Sequence, residues 1–69
     1  MNKFSENLKK IRLERNISIK EMAKGVGVSP STILNWEKKA VNLRFDHVVA
    51  ILKFLQISCD ELLGINKKD

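Results

Sequence analysis

Residues 27–39 read GVSPSTILNWEKK, and this stretch decides how the chain folds. Ser29 followed by Pro30 is a helix start. The serine hydroxyl meets the free backbone N–H groups of a first turn, and proline suits the first helical position. The helix that follows, 30–38, turns Ile33 and Trp36 inward. Ser31, Leu34, Asn35 and Lys38 remain for its other face. So polar a helix is a poor building block unless something else uses its exposed side.

Working outward, the same punctuation occurs three times. An apolar residue and a serine are followed, four positions after the serine, by another apolar residue. Ile17-Ser18 leads to Met22, Val28-Ser29 to Ile33, and Ile57-Ser58 to Leu62. Each fits an N-cap with a hydrophobic staple. Glu21 and Glu61 stand three residues after Ser18 and Ser58 and complete capping boxes. Helices are therefore expected just after Ser18, Ser29 and Ser58.

The first helix is expected over about 4–15, with Phe4, Leu8 and Ile11 inward and Asn16 as its stop. The second covers 19–26 and buries Met22, Ala23 and Val26, with Gly27 as a left-handed turn residue. A fourth, about 44–55, carries Phe45, Val48, Ile51, Leu52 and Leu55 on its apolar side. The last, 59–63, is closed by Gly64. Gly25 weakens the second helix by roughly 1 kcal/mol relative to alanine, and close approach of a neighbour is the one reason the sequence offers for it. No segment alternates like a strand. The expected fold is all-α, a compact bundle of four to five short helices forming a single domain over 1–69.

The 69 residues suit one small domain near the limit at which a core suffices without staples. Cys59 is the only cysteine and His47 the only histidine, so no internal disulfide and no zinc-type cluster is expected, and no cofactor. No apolar run approaches membrane-spanning length and no secretory signal stands at the start, which makes a cytoplasmic location the expectation. Thirteen Lys and Arg against eight Asp and Glu give +5. That balance favours a polyanionic partner, nucleic acid before acidic lipid. No nucleophile–base pair or carboxylate pair suggests catalysis, and an enzyme is not expected.

Helices two and three are joined by about three residues, Gly27-Val28-Ser29, which suits two short helices crossing steeply. In a helix-turn-helix the second member enters the DNA major groove and the first lies across the phosphates. The matching residues span 8–63. They are Leu8, Arg12, Ser18, Ala23, Gly27-Val28-Ser29, Ile33, Trp36-Glu37, and the closing run of Leu55, Ile57-Ser58 and Asp60-Glu61-Leu62-Leu63. On these residues the chain resembles the phage-repressor family of helix-turn-helix domains, the Cro and λ-repressor-like or XRE type. Ala23, Gly27, Ile33 and Trp36 fall at the spacing of that motif.

The resemblance implies sequence-specific binding of double-stranded DNA by a transcriptional regulator, a repressor, with helix three in the major groove. It implies base contacts from Ser31, Thr32, Leu34 and Asn35. Ser31, Asn35 and Lys38 also share one stripe by helical spacing alone. Asn35 suits bidentate reading of an adenine edge. Leu34 suits either a thymine methyl or partial burial. Phosphate contacts are expected from Ser29 and Lys20 and, after helix three, from Lys38, Lys39, Asn42 and Arg44; Lys24 and the remaining lysines read as ordinary solvated charges. Arg12 and Glu37 are implied to form a partly buried pair linking helix one to helix three.

The chain departs from the family where Ile19 replaces a common glutamine, Lys39 a common glycine and Leu43 a common proline. Pro30 removes a side chain that relatives use to read a base. Helix four carries surplus apolar residues, Val49, Ala50 and Phe54. These fit either a wide buried face or a dimer surface that includes Ile57, Ser58, Cys59 and Glu61. A homodimer on a palindromic operator would increase affinity and selectivity. Cys59 reads as a small residue in the first turn of the last helix. The competing expectation is an antitoxin-like module that neutralises a partner protein. The five residues after Gly64 are short for wrapping one. With no sensor segment expected, regulation would follow concentration and any regulatory partner.

Overall fold

The computed structural model describes residues 3–39 and 43–64. Five α-helices follow in order: α1 Lys3–Glu14, α2 Ile19–Val26, α3 Pro30–Lys39, α4 Phe45–Leu55 and α5 Cys59–Leu63. No strand occurs among the described residues. α1 packs on α3 and α5, and α2 packs on α3 and α4.

All five helices feed one core. Phe4 and Leu8 come from α1, Met22 and Ala23 from α2, Ile33 and Trp36 from α3, Ile51 and Leu55 from α4, and Leu62 from α5. The three serine-centred signals each start a helix. Ser18 Oγ accepts from Glu21 N–H at 3.0 Å, and Glu21 Oε1 accepts from Ser18 N–H at 2.8 Å. Ser58 and Glu61 repeat that capping box at 3.1 and 3.0 Å. Ile17, Val28 and Ile57, the outer halves of the staples, sit half-buried against the core, while Met22, Ile33 and Leu62 are fully buried.

Helix ends follow from backbone conformation. Asn16 stops α1 at φ 55, and Gly27 stops α2 at φ 91 with its N–H on the Ala23 carbonyl at 2.8 Å. A Cβ at Gly27 would meet nothing within 4 Å, so the positive φ, not space, calls for glycine. Gly25 is the opposite case. A Cβ there would lie 2.1 Å from the Phe54 ring, so the missing side chain is the seat of that ring. Phe54 therefore packs within its own chain, and the wide-face reading holds for it.

Two expectations are corrected. Phe45 is 82% exposed and takes no part in the core. It is the first residue of α4, about 9 Å along the axis from Ile51, so it stands at the helix end beyond the packed turns although Leu52, on the same side, meets the core. Arg44 is the N-cap of α4, outside the helix, and offers no side-chain cap hydrogen bond. α1 also ends at Glu14 and α3 runs on to Lys39, one residue from the expected limits. Among the described residues no helix is long and apolar enough to cross a membrane.

Candidate nucleic-acid interface

The inner side of α3 is fixed at several points. Ile33 and Trp36 are buried. Ser5 Oγ, buried in α1, donates to the Trp36 carbonyl at 2.5 Å. Arg12 grips Glu37 through two parallel bonds, Nε to Oε2 at 2.6 Å and Nη2 to Oε1 at 3.1 Å. Its Nη1 donates to the Ile17 carbonyl at 2.9 Å. One guanidinium thus joins α1, α3 and the α1–α2 corner. The two side chains are only 10% and 5% exposed. Burial of a charge is tolerated when it is paired and its donors are used, as they are in this fork. The Trp36 and His47 rings lie 5.1 Å apart and tilted, which seats the first turn of α4 on α3.

With that side anchored, Ser31, Leu34, Asn35, Lys38 and Lys39 stand exposed, Leu34 to 46%. Ser31, Asn35 and Lys38 form one stripe along the helix. Leu34 is therefore free to meet an apolar group on a ligand. Thr32 is half-buried, and its Oγ1 lies 3.0 Å from Ser29 Oγ. Ser29 Oγ also accepts from Thr32 N–H at 3.3 Å. The Ser29 hydroxyl thus caps α3, and the Thr32 and Ser31 hydroxyls both lie against it, Ser31 Oγ at 3.3 Å.

Across the turn, Lys20, Glu21 and Lys24 of α2 line an open groove of about 430 Å³ with Ala23, Val28 and Pro30. Lys20 is thus brought to the start of α3, and Lys24 joins it one turn along α2. Lys38 and Lys39 end α3, and Arg44 stands exposed before α4. Arg44 Nε lies 3.3 Å from Asp46 Oδ1. Asn42, an expected phosphate contact, lies outside the described residues.

A short polar stripe held outward beside a basic rim, at a tight left-handed corner, is the geometry of a helix-turn-helix. The helix-turn-helix family model matches residues 8–62. The chain belongs to the helix-turn-helix family. It is 32% identical over 61 residues to the cryptic phage CTXphi transcriptional repressor RstR of Vibrio cholerae, across 88% of this chain and 55% of that protein. The chain thus spans about half the length of the curated relative it matches. In this helix-turn-helix protein α2 and α3 are the two motif helices and Gly27 is their corner.

The residues proposed for pairing of two copies are divided. Ile57 is half-buried against its own core. The Ser58 and Glu61 side chains are exposed but committed to their capping box. Cys59 is a free, exposed thiol. Val49 and Ala50 are half-buried.

Sequence reasoning missed three fastening groups. Ser5 fell one residue from the expected apolar stripe, although its spacing to Leu8 and Arg12, three and seven, puts all three on one face. Asn7 Nδ2 donates to the Leu62 carbonyl at 3.2 Å. Arg15 Nη1 donates to the Leu55 carbonyl, tying the end of α1 to the end of α4. The last two cross large sequence separations, and no local pattern announces them.

Proposed function

We propose that this protein binds double-stranded DNA sequence-specifically and acts as a transcriptional repressor, with α3 lying in the major groove. The observation that carries the reading is the two-sided character of α3. Its inner side is fastened by Ile33, Trp36 and the Arg12–Glu37 fork, while Ser31, Leu34, Asn35 and Lys38 face outward. The major groove accepts one such helix and presents a distinct donor and acceptor pattern for each base pair. Asn35 is assigned to an adenine edge, Leu34 to a thymine methyl, and Ser31 and Thr32 to bases or adjacent phosphates. Thr32 gives this contact in addition to its hydroxyl contact with Ser29. Lys20, Ser29, Lys38, Lys39, Asn42 and Arg44 are assigned to phosphates.

One such unit spans only a few base pairs. The reading therefore includes two copies on a palindromic operator, paired through the α4–α5 region around Ile57, Ser58, Cys59 and Glu61. The repressor role is supported by the similarity to the Vibrio cholerae transcriptional repressor. Neither that relative nor the family match speaks for neutralisation of a partner protein.

Selection of bound duplexes from a random library, followed by footprinting, tests the reading. A palindromic consensus with protection on one face of the duplex is expected. Absence of any enriched sequence would reject sequence-specific binding. Ultracentrifugation with the selected site tests the pairing, and one copy per full site would reject it.

A further inference from the structure

The only acidic side chain that forms an ion pair with a proposed phosphate contact, among the described residues, is Asp46. It meets Arg44 at Nε alone, at 3.3 Å, with both side chains open to solvent at 69% and 73%. Nη1 and Nη2 of Arg44 have no partner among the described residues. Trp36 and His47 pack ring to ring, so the pair stands on the part of α4 that abuts the recognition helix. We infer that Asp46 is a specificity-determining positioning residue: its carboxylate beside Nε biases where the Arg44 side chain lies and leaves the guanidinium end open to a phosphate.

The inference rests on the DNA-binding reading and deepens it. A carboxylate on this rim has two effects of opposite sign. Its negative charge repels every backbone, and affinity for noncognate DNA comes almost entirely from backbone charge. It also orders a long side chain that otherwise loses rotamer freedom on docking. At the cognate site the protein's register is fixed, and a phosphate lies where the η nitrogens are held. There the ordering and a forked arginine–phosphate contact offset the repulsion. On noncognate DNA the register varies, and only the repulsion remains. Asp46 thus widens the gap between right and wrong sites without touching a base.

Titrations of Asp46→Asn against the selected site and a scrambled duplex test this, with thermal melts to verify folding. Noncognate affinity should rise and cognate affinity should not, so their ratio falls by about three- to fivefold, the scale of an exposed ion pair. In an Arg44→Gln background the same change should leave the ratio unaltered. Asp46→Glu, which keeps the charge but lengthens the arm, should keep wild-type noncognate affinity and weaken the cognate complex. Equal gains on both duplexes, or a change in the ratio on Asp46→Asn that persists without Arg44, would overturn the inference and leave DNA binding intact. Failure of the wild-type protein to select any site would overturn both.

Discussion

Glu37 shows how much a single side chain carries here. Its carboxylate accepts both parallel bonds from Arg12 in a nearly dry setting. Glu37→Ala leaves the guanidinium charge buried with no counter-ion, which costs roughly 3–5 kcal/mol. A domain this small has little stability to spare. Urea melts of Glu37→Ala should show that loss, and DNA binding should fall because the domain unfolds; unchanged melts would remove the fork from the list of structural supports. Asn35 and Lys38 lie on the exposed side and should behave differently. Asn35→Ala should leave melting unchanged, cost about 1–3 kcal/mol of binding and relax preference at one base pair. Lys38→Ala should weaken all sequences alike. Competition titrations against single-base operator variants separate the two, and equal losses for Asn35→Ala on specific and random DNA would take it out of the reading set.

At the scale of the element, the chain's helices are set by their ends more than by their faces. Ser18 and Ser58 each carry a reciprocal cap, and Asn16, Gly27, Gln56 and Gly64 all end helices at positive φ. These signals are local, which is why the starts after Ser18, Ser29 and Ser58 were legible in the sequence. Faces were less so. Phe45 looks like core by composition, and it shares a side of α4 with Leu52, yet as the first residue of the helix it lies beyond the packed turns and faces solvent. Gln56 gave no sign of its left-handed conformation, because a glycine or asparagine is the usual mark. Gly25 was legible as the close approach of some neighbour, and the structure shows that the neighbour is the Phe54 ring. Alanine there improves helix propensity by roughly 1 kcal/mol, but overpacking costs typically about 1–3 kcal/mol. Gly25→Ala should therefore lower the melting temperature. Adding Phe54→Leu should shrink that loss, and a stabilised Gly25→Ala would show that the ring moves aside freely.

For the whole molecule, charge and shape act together. The excess of positive charge lies outside α4 and α5, and Lys20, Lys38, Lys39 and Arg44 border the outward side of α3. If two copies contact about 6–10 phosphates, the log–log dependence of affinity on salt should have a slope of order −5 to −9. Binding measured from low to physiological salt tests this. A slope near −1 would mean that the basic rim is not facing the duplex.

Local chemistry determined much of this protein from the sequence alone: five helices, their starts, the corner at Gly27 and the division of α3 into an apolar and a polar side. Capping and turn conformation depend on neighbours within a few positions, so they can be read in order along the chain. Only the tertiary structure decided that Ser5, Asn7 and Arg15 are fasteners and that Phe54 fills the place of a missing Cβ at Gly25. Those outcomes depend on how far each helix is rotated about its axis when five of them close on one core. That rotation is a property of the packed whole, set by which side chains exclude water together.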